Sequence, residues 1–120
     1  GHLQVYRFLQ DVYPSQNLTA YENNKVMPAS FILSQNYPNP FNPKTNFRIY
    51  SHKNTFINIA IYGLNGDHIR KIINKKLSPG EYVMTWDGRD DLGRTTPAGI
   101  YFLSANDGHL LQTRKMVLIK

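Results

Sequence analysis

The chain has 120 residues, of which 41% are apolar and 18% charged, with eight Tyr, six Phe and one Trp. That length accommodates one hydrophobic core, and the composition is too aromatic for a disordered chain. Lys and Arg number 14 against 8 Asp and Glu, a formal charge of +6 that favours acidic partners without naming one, while the absence of cysteine excludes disulfides and thiolate metal sites.

No stretch approaches the roughly 18 to 20 apolar residues of a membrane-spanning helix. No signal peptide is visible either, so the signal of an exported protein is expected upstream of residue 1. Gly1-His2 reads as a cloning remnant. Residues 1–30 fit no single period: Val5, Phe8, Leu9 and Val12 share one helical face, yet Leu3, Val5 and Tyr6 equally suit a strand start. The stretch is read as a linker or the tail of a preceding domain, and residues 31–120 as the folded unit.

The texture changes at Phe31. Gln35-Asn36-Tyr37-Pro38-Asn39-Pro40-Phe41-Asn42-Pro43 carries three prolines, each of which fixes φ, lacks an N–H and pushes its predecessor towards extended geometry. This segment is therefore stiff and non-helical, with Tyr37 and Phe41 expected to anchor it to the core. Thr55 to Tyr62 alternates Ile57, Ile59 and Ile61 with Phe56, Asn58 and Ala60, the period of a strand with one buried face. Asn65-Gly66 predicts a type I′ hairpin that returns the chain as a strand over about Asp67 to Lys76.

Ser78-Pro79-Gly80 marks a further reversal, and Glu81 to Trp86 alternates again. Asp87 to Gly99 is a polar loop, Ile100 to Asn106 a strand, Asp107-Gly108 a second tight turn, and His109 to Ile119 the last strand. The whole predicts an all-β, antiparallel immunoglobulin-like β-sandwich of about seven strands.

Chemistry is sparse. His2, His52, His68 and His109 lack metal-pairing spacings, and no nucleophile elbow, P-loop or dinucleotide fingerprint is present. Neither an enzyme nor a cofactor is expected. The basic cluster Arg70, Lys71, Lys75 and Lys76 alternates with Ile69, Ile72 and Ile73 as a solvated strand face does, so nucleic acid is not the expected partner. Asp87, Asp90 and Asp91 in a Gly-rich loop offer oxygens for calcium but lack the alternating ligands and closing Glu of an EF-hand. The favoured reading is that they cap backbone amides as Asx turns, with Arg89 or Arg94 balancing their charge.

Taken together, Leu33 to Pro43 with Thr45, Ile59-Ala-Ile-Tyr-Gly-Leu-Asn-Gly66, Pro79-Gly-Glu-Tyr-Val83, Trp86-Asp-Gly-Arg-Asp90, Ala98-Gly-Ile-Tyr-Phe102 and Lys115-Met-Val-Leu-Ile-Lys120 resemble, in this order, the type A C-terminal sorting domain of the bacterial type IX secretion system. The resemblance covers about residues 31–120. It implies export of a cargo protein through the periplasm and outer membrane to the cell surface or exterior, with the outer-membrane translocation machinery and a sortase as partners. By the same analogy, processing falls upstream of Phe31, in the stretch over residues 20–30. The family's Pro-x-Gly-x-Tyr element corresponds to Pro79, Gly80 and Tyr82, although Pro and Gly are adjacent here.

Lys115, Met116, Val117, Leu118, Ile119 and Lys120 form a strand that is apolar on both faces, expected to be covered by both sheets or by a partner; as an open edge it is a template for strand addition, by which it is expected to dock the machinery. Exposed edges also make a weak edge-strand dimer an expectation. Trp86 to Asp91 and Gly99 to Phe102 also resemble the immunoglobulin-like domain of flagellar hook-capping proteins, an assembly module. A third reading is a carbohydrate-binding module of a secreted hydrolase, using Tyr37, Tyr50, Tyr62 or Tyr101 as sugar platforms.

Overall fold

The computed structural model describes residues 19–22 and 25–120. It is built of strands, with no helix among the described residues: β1 (Thr19–Glu22), β2 (Lys25–Pro28), β3 (Phe31–Leu33), β4 (Thr45–Ser51), β5 (Thr55–Gly63), β6 (His68–Leu77), β7 (Gly80–Trp86), β8 (Gly99–Asn106) and β9 (Leu111–Leu118). β1 and β2 pair with each other, so part of the stretch read as irregular linker has regular pairing. The candidate helical face over Val5 to Val12 lies outside the described residues.

The seven remaining strands form two antiparallel sheets, one ordered β3-β4-β7 and the other β6-β5-β8-β9, which is the expected sandwich. Alternation decides the inner faces. Ile57, Ile59 and Ile61 of β5 are fully buried, as are Phe31 and Leu33 of β3, Ile49 of β4 and Leu103 of β8. Burying each such side chain contributes about 1.5–3 kcal/mol, whereas the ion pairs between described residues, such as Arg48–Glu81, are exposed and worth about 0–1 kcal/mol each. Apolar burial therefore holds the sandwich together.

Trp86, the single tryptophan, ends β7 at the centre of this core. Its ring lies 5.7 Å from Phe41 and 5.1 Å from Tyr101, tilted or edge-on to each, and its Nε1 donates to the Arg89 carbonyl at 2.9 Å. The Tyr101 hydroxyl finds the Pro97 carbonyl at 2.6 Å. Both aromatic polar tips are thus satisfied while their rings stay dry.

Two turns differ in detail from their sequence signatures. The Gly66 amide donates to Gly63 and the Gly63 amide to Asp67, so Leu64 and Asn65 are the central turn residues and Gly66 follows at φ 86°. This is a three-residue loop closed by a left-handed glycine rather than a two-residue type I′ turn, and it still returns β6 onto β5. Between β8 and β9, Asp107 and Leu110 close the loop, leaving Gly108 and His109 as its central pair. Ser78-Pro79, by contrast, carries the chain from one sheet to the other.

Candidate recognition surface

The proline-rich segment and the last strand, read separately in the sequence, form one structure. Phe41 packs into the core at 1% exposure while its backbone runs parallel to Leu118. Its amide donates to the Val117 carbonyl and its carbonyl accepts from the Ile119 amide, both at 2.9 Å. The Asn39 carboxamide completes the seal: Oδ1 accepts from the Val117 amide at 2.9 Å and Nδ2 donates to the Lys115 carbonyl at 3.3 Å. Gln35 Nε2 donates to that same carbonyl at 2.8 Å.

The edge of β9 over Lys115 to Ile119 is therefore occupied. That corrects the expectation of an open edge there, and the physical reason lies in the prolines. A segment holding Pro38, Pro40 and Pro43 has few backbone donors of its own. Side-chain amides supply further bonds: Gln35 and Asn36 precede the first proline, and Asn39 stands between Pro38 and Pro40. Asn36 is itself buried, donating to Thr45 Oγ1 at 3.0 Å and to the Pro38 carbonyl at 3.2 Å. The bonds of these amides were missed in the sequence, where the segment was read only for its prolines and its two aromatic residues.

Of the two expected anchors only Phe41 serves. Tyr37 exchanges backbone hydrogen bonds with Asn46, which turns its ring outward at 81% exposure. Further along, Gln112 and Arg114 tie β9 to β3: Gln112 accepts from the Leu33 amide and donates to the Phe31 carbonyl, and Arg114 Nε donates to the Leu33 carbonyl. Of the terminal residues singled out, Met116 and Leu118 are core, Val117 is half-buried, and Lys115, Ile119 and Lys120 are exposed. Tyr37, Asn39, Lys115, Ile119 and Lys120 are thus among the accessible residues of this composite surface.

The other named residues lie elsewhere. Pro79 and Gly80 are exposed at the sheet-switching turn, and Tyr82 is half-buried against the core, its hydroxyl donating to the Ser78 carbonyl at 2.8 Å. Asp87 Oδ1 accepts from the Arg89 amide. Asp90 Oδ1 accepts from the Leu92 and Arg94 amides while Oδ2 meets Arg94 Nε at 2.9 Å. Asp91 Oδ1 accepts from the Lys71 amide and Oδ2 lies 3.4 Å from His68.

These carboxylates therefore cap backbone, each in a different direction. No group of three or more His, Cys, Asp or Glu side chains among the described residues gathers to hold a metal. The Arg94 amide and guanidinium and the Leu92 amide hold the Asp90 carboxyl below its usual range despite an opposing effect of burial. For Asp107, burial pulls the pKa up but is outweighed by the Ser30 hydroxyl and the Leu110 and His109 amides, so its pKa too is lowered.

Of the four tyrosines considered as sugar platforms, Tyr101 is core at 6% exposure, and Tyr62 sits edge-on to the His68 ring at 5.6 Å. The basic residues of β6 line a sheet edge. No helix among the described residues is long and apolar enough to cross a membrane.

The FlgD Ig-like domain family matches residues 38–108. No curated protein matches the chain. Among solved structures, dimeric latent PorU from Porphyromonas gingivalis is similar over 78% of this chain and 10% of its own, at TM-score 0.56 and 17% identity. FlgD from Xanthomonas campestris, described in connection with hook capping in flagellar assembly, is similar over 73% of this chain and 66% of its own, at TM-score 0.50 and 21% identity. PorZ, described as a surface component of the type IX secretion system of Porphyromonas gingivalis, is similar over 75% of this chain and 11% of its own, at TM-score 0.47 and 17% identity. The chain thus spans about a tenth of the length of PorU and PorZ, and at these identities the likeness is one of fold.

Proposed function

Because this chain belongs to the FlgD Ig-like domain family, a family of β-sandwich modules, we propose that it is a non-catalytic sorting domain that directs a cargo protein through the type IX secretion system to the cell surface or exterior. The observation that carries the reading is the seal between Asn39 and Val117. The two motifs on which the resemblance to sorting domains rests most, Gln35 to Pro43 and Lys115 to Lys120, are bonded into one surface. A partner reading that surface reads both motifs together, and an unfolded chain presents neither arrangement.

In this reading the translocation machinery contacts Tyr37, Asn39, Lys115, Ile119 and Lys120, and the Pro79, Gly80 and Tyr82 turn is a second contact. A sortase cuts upstream of Phe31. The experiment is export of a fluorescent cargo fused to the chain in a bacterium that has the system. Lys115→Glu/Lys120→Glu is expected to leave the domain folded and to retain cargo in the periplasm. Unchanged export by that folded variant rejects the surface.

Family membership also favours a second reading, an immunoglobulin-like assembly module of the hook-capping kind. Retention of that module in an assembled surface structure, with no export of a fused cargo, distinguishes it. A carbohydrate-binding role has less support, because Tyr101 is buried. Depletion of the chain from solution by insoluble polysaccharide would revive it.

A further inference from the structure

The two sheets are unequal: four strands face three. β3 is tied to β9 through Gln112 and Arg114, which places β7, at the other end of its sheet, on the β5–β6 side, with no fourth strand beyond it among the described residues. The core is correspondingly thin there. Ile69, Ile72 and Ile73 of β6 and Tyr82 and Met84 of β7 pack against the core yet are only partly buried.

Hydrogen-bond parity identifies what β7 offers. Asn46 bonds Tyr37, and Arg48 bonds Ser34, so the even residues of β4 face β3 and its odd residues face β7. Thr45, Phe47, Ile49 and Ser51 are registered with Trp86, Met84, Tyr82 and Gly80. The even residues of β7 are consequently used, and Glu81, Val83 and Thr85 direct their N–H and C=O groups outward. No hydrogen bond joins those groups to other described residues. Their side chains are exposed, Val83 at 61%.

The other edges of the two sandwich sheets are at least partly occupied. Residues 35–41 seal β9 over Lys115 to Ile119, side chains of β9 hold β3, and Asp91 covers the start of β6 by bonding Ile69 and Lys71. The rest of β6 carries Lys75 and Lys76, and lysines on an edge oppose pairing with another strand. β7 has no cation, and its one charge, Glu81, is paired with Arg48 at 3.2 Å.

We propose that the β7 edge, Gly80–Trp86, is a docking site for an extended segment of a partner protein that is apolar on one face and carries net negative charge. Such a strand completes a fourth position beside β7, covers Ile69, Ile72 and Ile73 with its apolar face, and lies along the cations of β6. Charge decides against a second copy of this chain as the occupant. Pairing β7 with its own symmetry mate brings two β6 edges together, each with Arg70, Lys71, Lys75 and Lys76, in a chain whose formal charge is already +6. The site is separate from the β9 surface, although it shares Gly80 and Tyr82 with the second contact proposed above, and the peptide test does not depend on which destination the domain serves.

The test uses the full chain, amide hydrogen exchange and NMR titration with two short synthetic peptides, one alternating Val with Glu and one alternating Val with Lys. The acidic peptide is expected to protect the Glu81, Val83 and Thr85 amides, to bind more weakly as salt rises, and to lose about tenfold in affinity with Lys71→Glu/Lys75→Glu. Val83→Pro, which removes the central outward donor, abolishes the protection. Should Val83→Pro fail to fold, the lysine variant carries the test alone. Equal binding of both peptides, no binding of either, dimerisation of the free chain through these amides, or their protection in the free monomer by the chain's own residues each overturns the proposal.

Discussion

Asn39 and Val117, 78 positions apart, meet at 2.9 Å where a side-chain oxygen takes the place of a neighbouring strand. One carboxamide satisfies both an N–H and a C=O of the terminal edge, so strand pairing is imitated without a strand. Pro38 and Pro40 on either side of it lack an N–H, and the Asn39 side chain supplies bonds that their backbone cannot donate.

Asn39→Ala removes both bonds at once. The site is exposed, so water replaces part of the loss and the expected cost is about 1 kcal/mol. Denaturant unfolding measures it, and hydrogen exchange at Val117 is expected to accelerate more than at Leu103, whose strand is interior to the sheet. Equal acceleration at both positions would show that the change is global.

Phe41→Ala should cost about 3–5 kcal/mol, the usual range for truncating a buried aromatic. The expected readout is twofold: a lower denaturation midpoint, and a red-shifted emission from Trp86, which loses its ring neighbour at 5.7 Å. Tyr37→Ala, by contrast, leaves both unchanged, because its ring is outside.

Removal of Lys115 to Lys120 is expected to abolish cooperative unfolding, since Met116 and Leu118 belong to the core. Loss of export by that truncation therefore reports folding rather than recognition. Lys115→Glu/Lys120→Glu keeps the core residues and separates the two, with the thermal transition within a few degrees of the original.

Gly88 has φ 75°, and a Cβ there would stand 3.1 Å from the Pro43 carbonyl oxygen. Gly88→Ala is expected to destabilise by more than about 1 kcal/mol, because the left-handed backbone and the close approach oppose the substitution together. Gly108→Ala shares the positive φ but meets no neighbour, so its smaller loss, measured in the same titration, isolates the steric part.

Asp90 and Asp107 have lowered pKa values in the folded state. A carboxyl that is more acidic when folded stabilises the protein above its unfolded pKa, and that contribution fades as pH falls through the folded value. The melting temperature is therefore expected to hold down to the ordinary carboxylate value of 3.8 and to decline below it. Asp107→Asn should melt lower at neutral pH and lose less on acidification; an identical acid slope would remove Asp107 from the account.

The strands from Thr55 onward were legible because their information is local, whereas β3 and β4 were not assigned from the sequence. Ile57, Ile59 and Ile61 alternate over a few positions, and Gly66 and Gly108 mark reversals through their own backbone freedom. Solvation of the β6 lysines follows from the same pattern. The tertiary structure decided which edges remain open. That outcome depends on side-chain amides reaching across 76 to 80 positions, and no periodicity records such reach. It moved the open edge from β9, where apolarity on both faces had suggested it, to β7, whose Glu81, Val83 and Thr85 look ordinary until their hydrogen-bond parity is known.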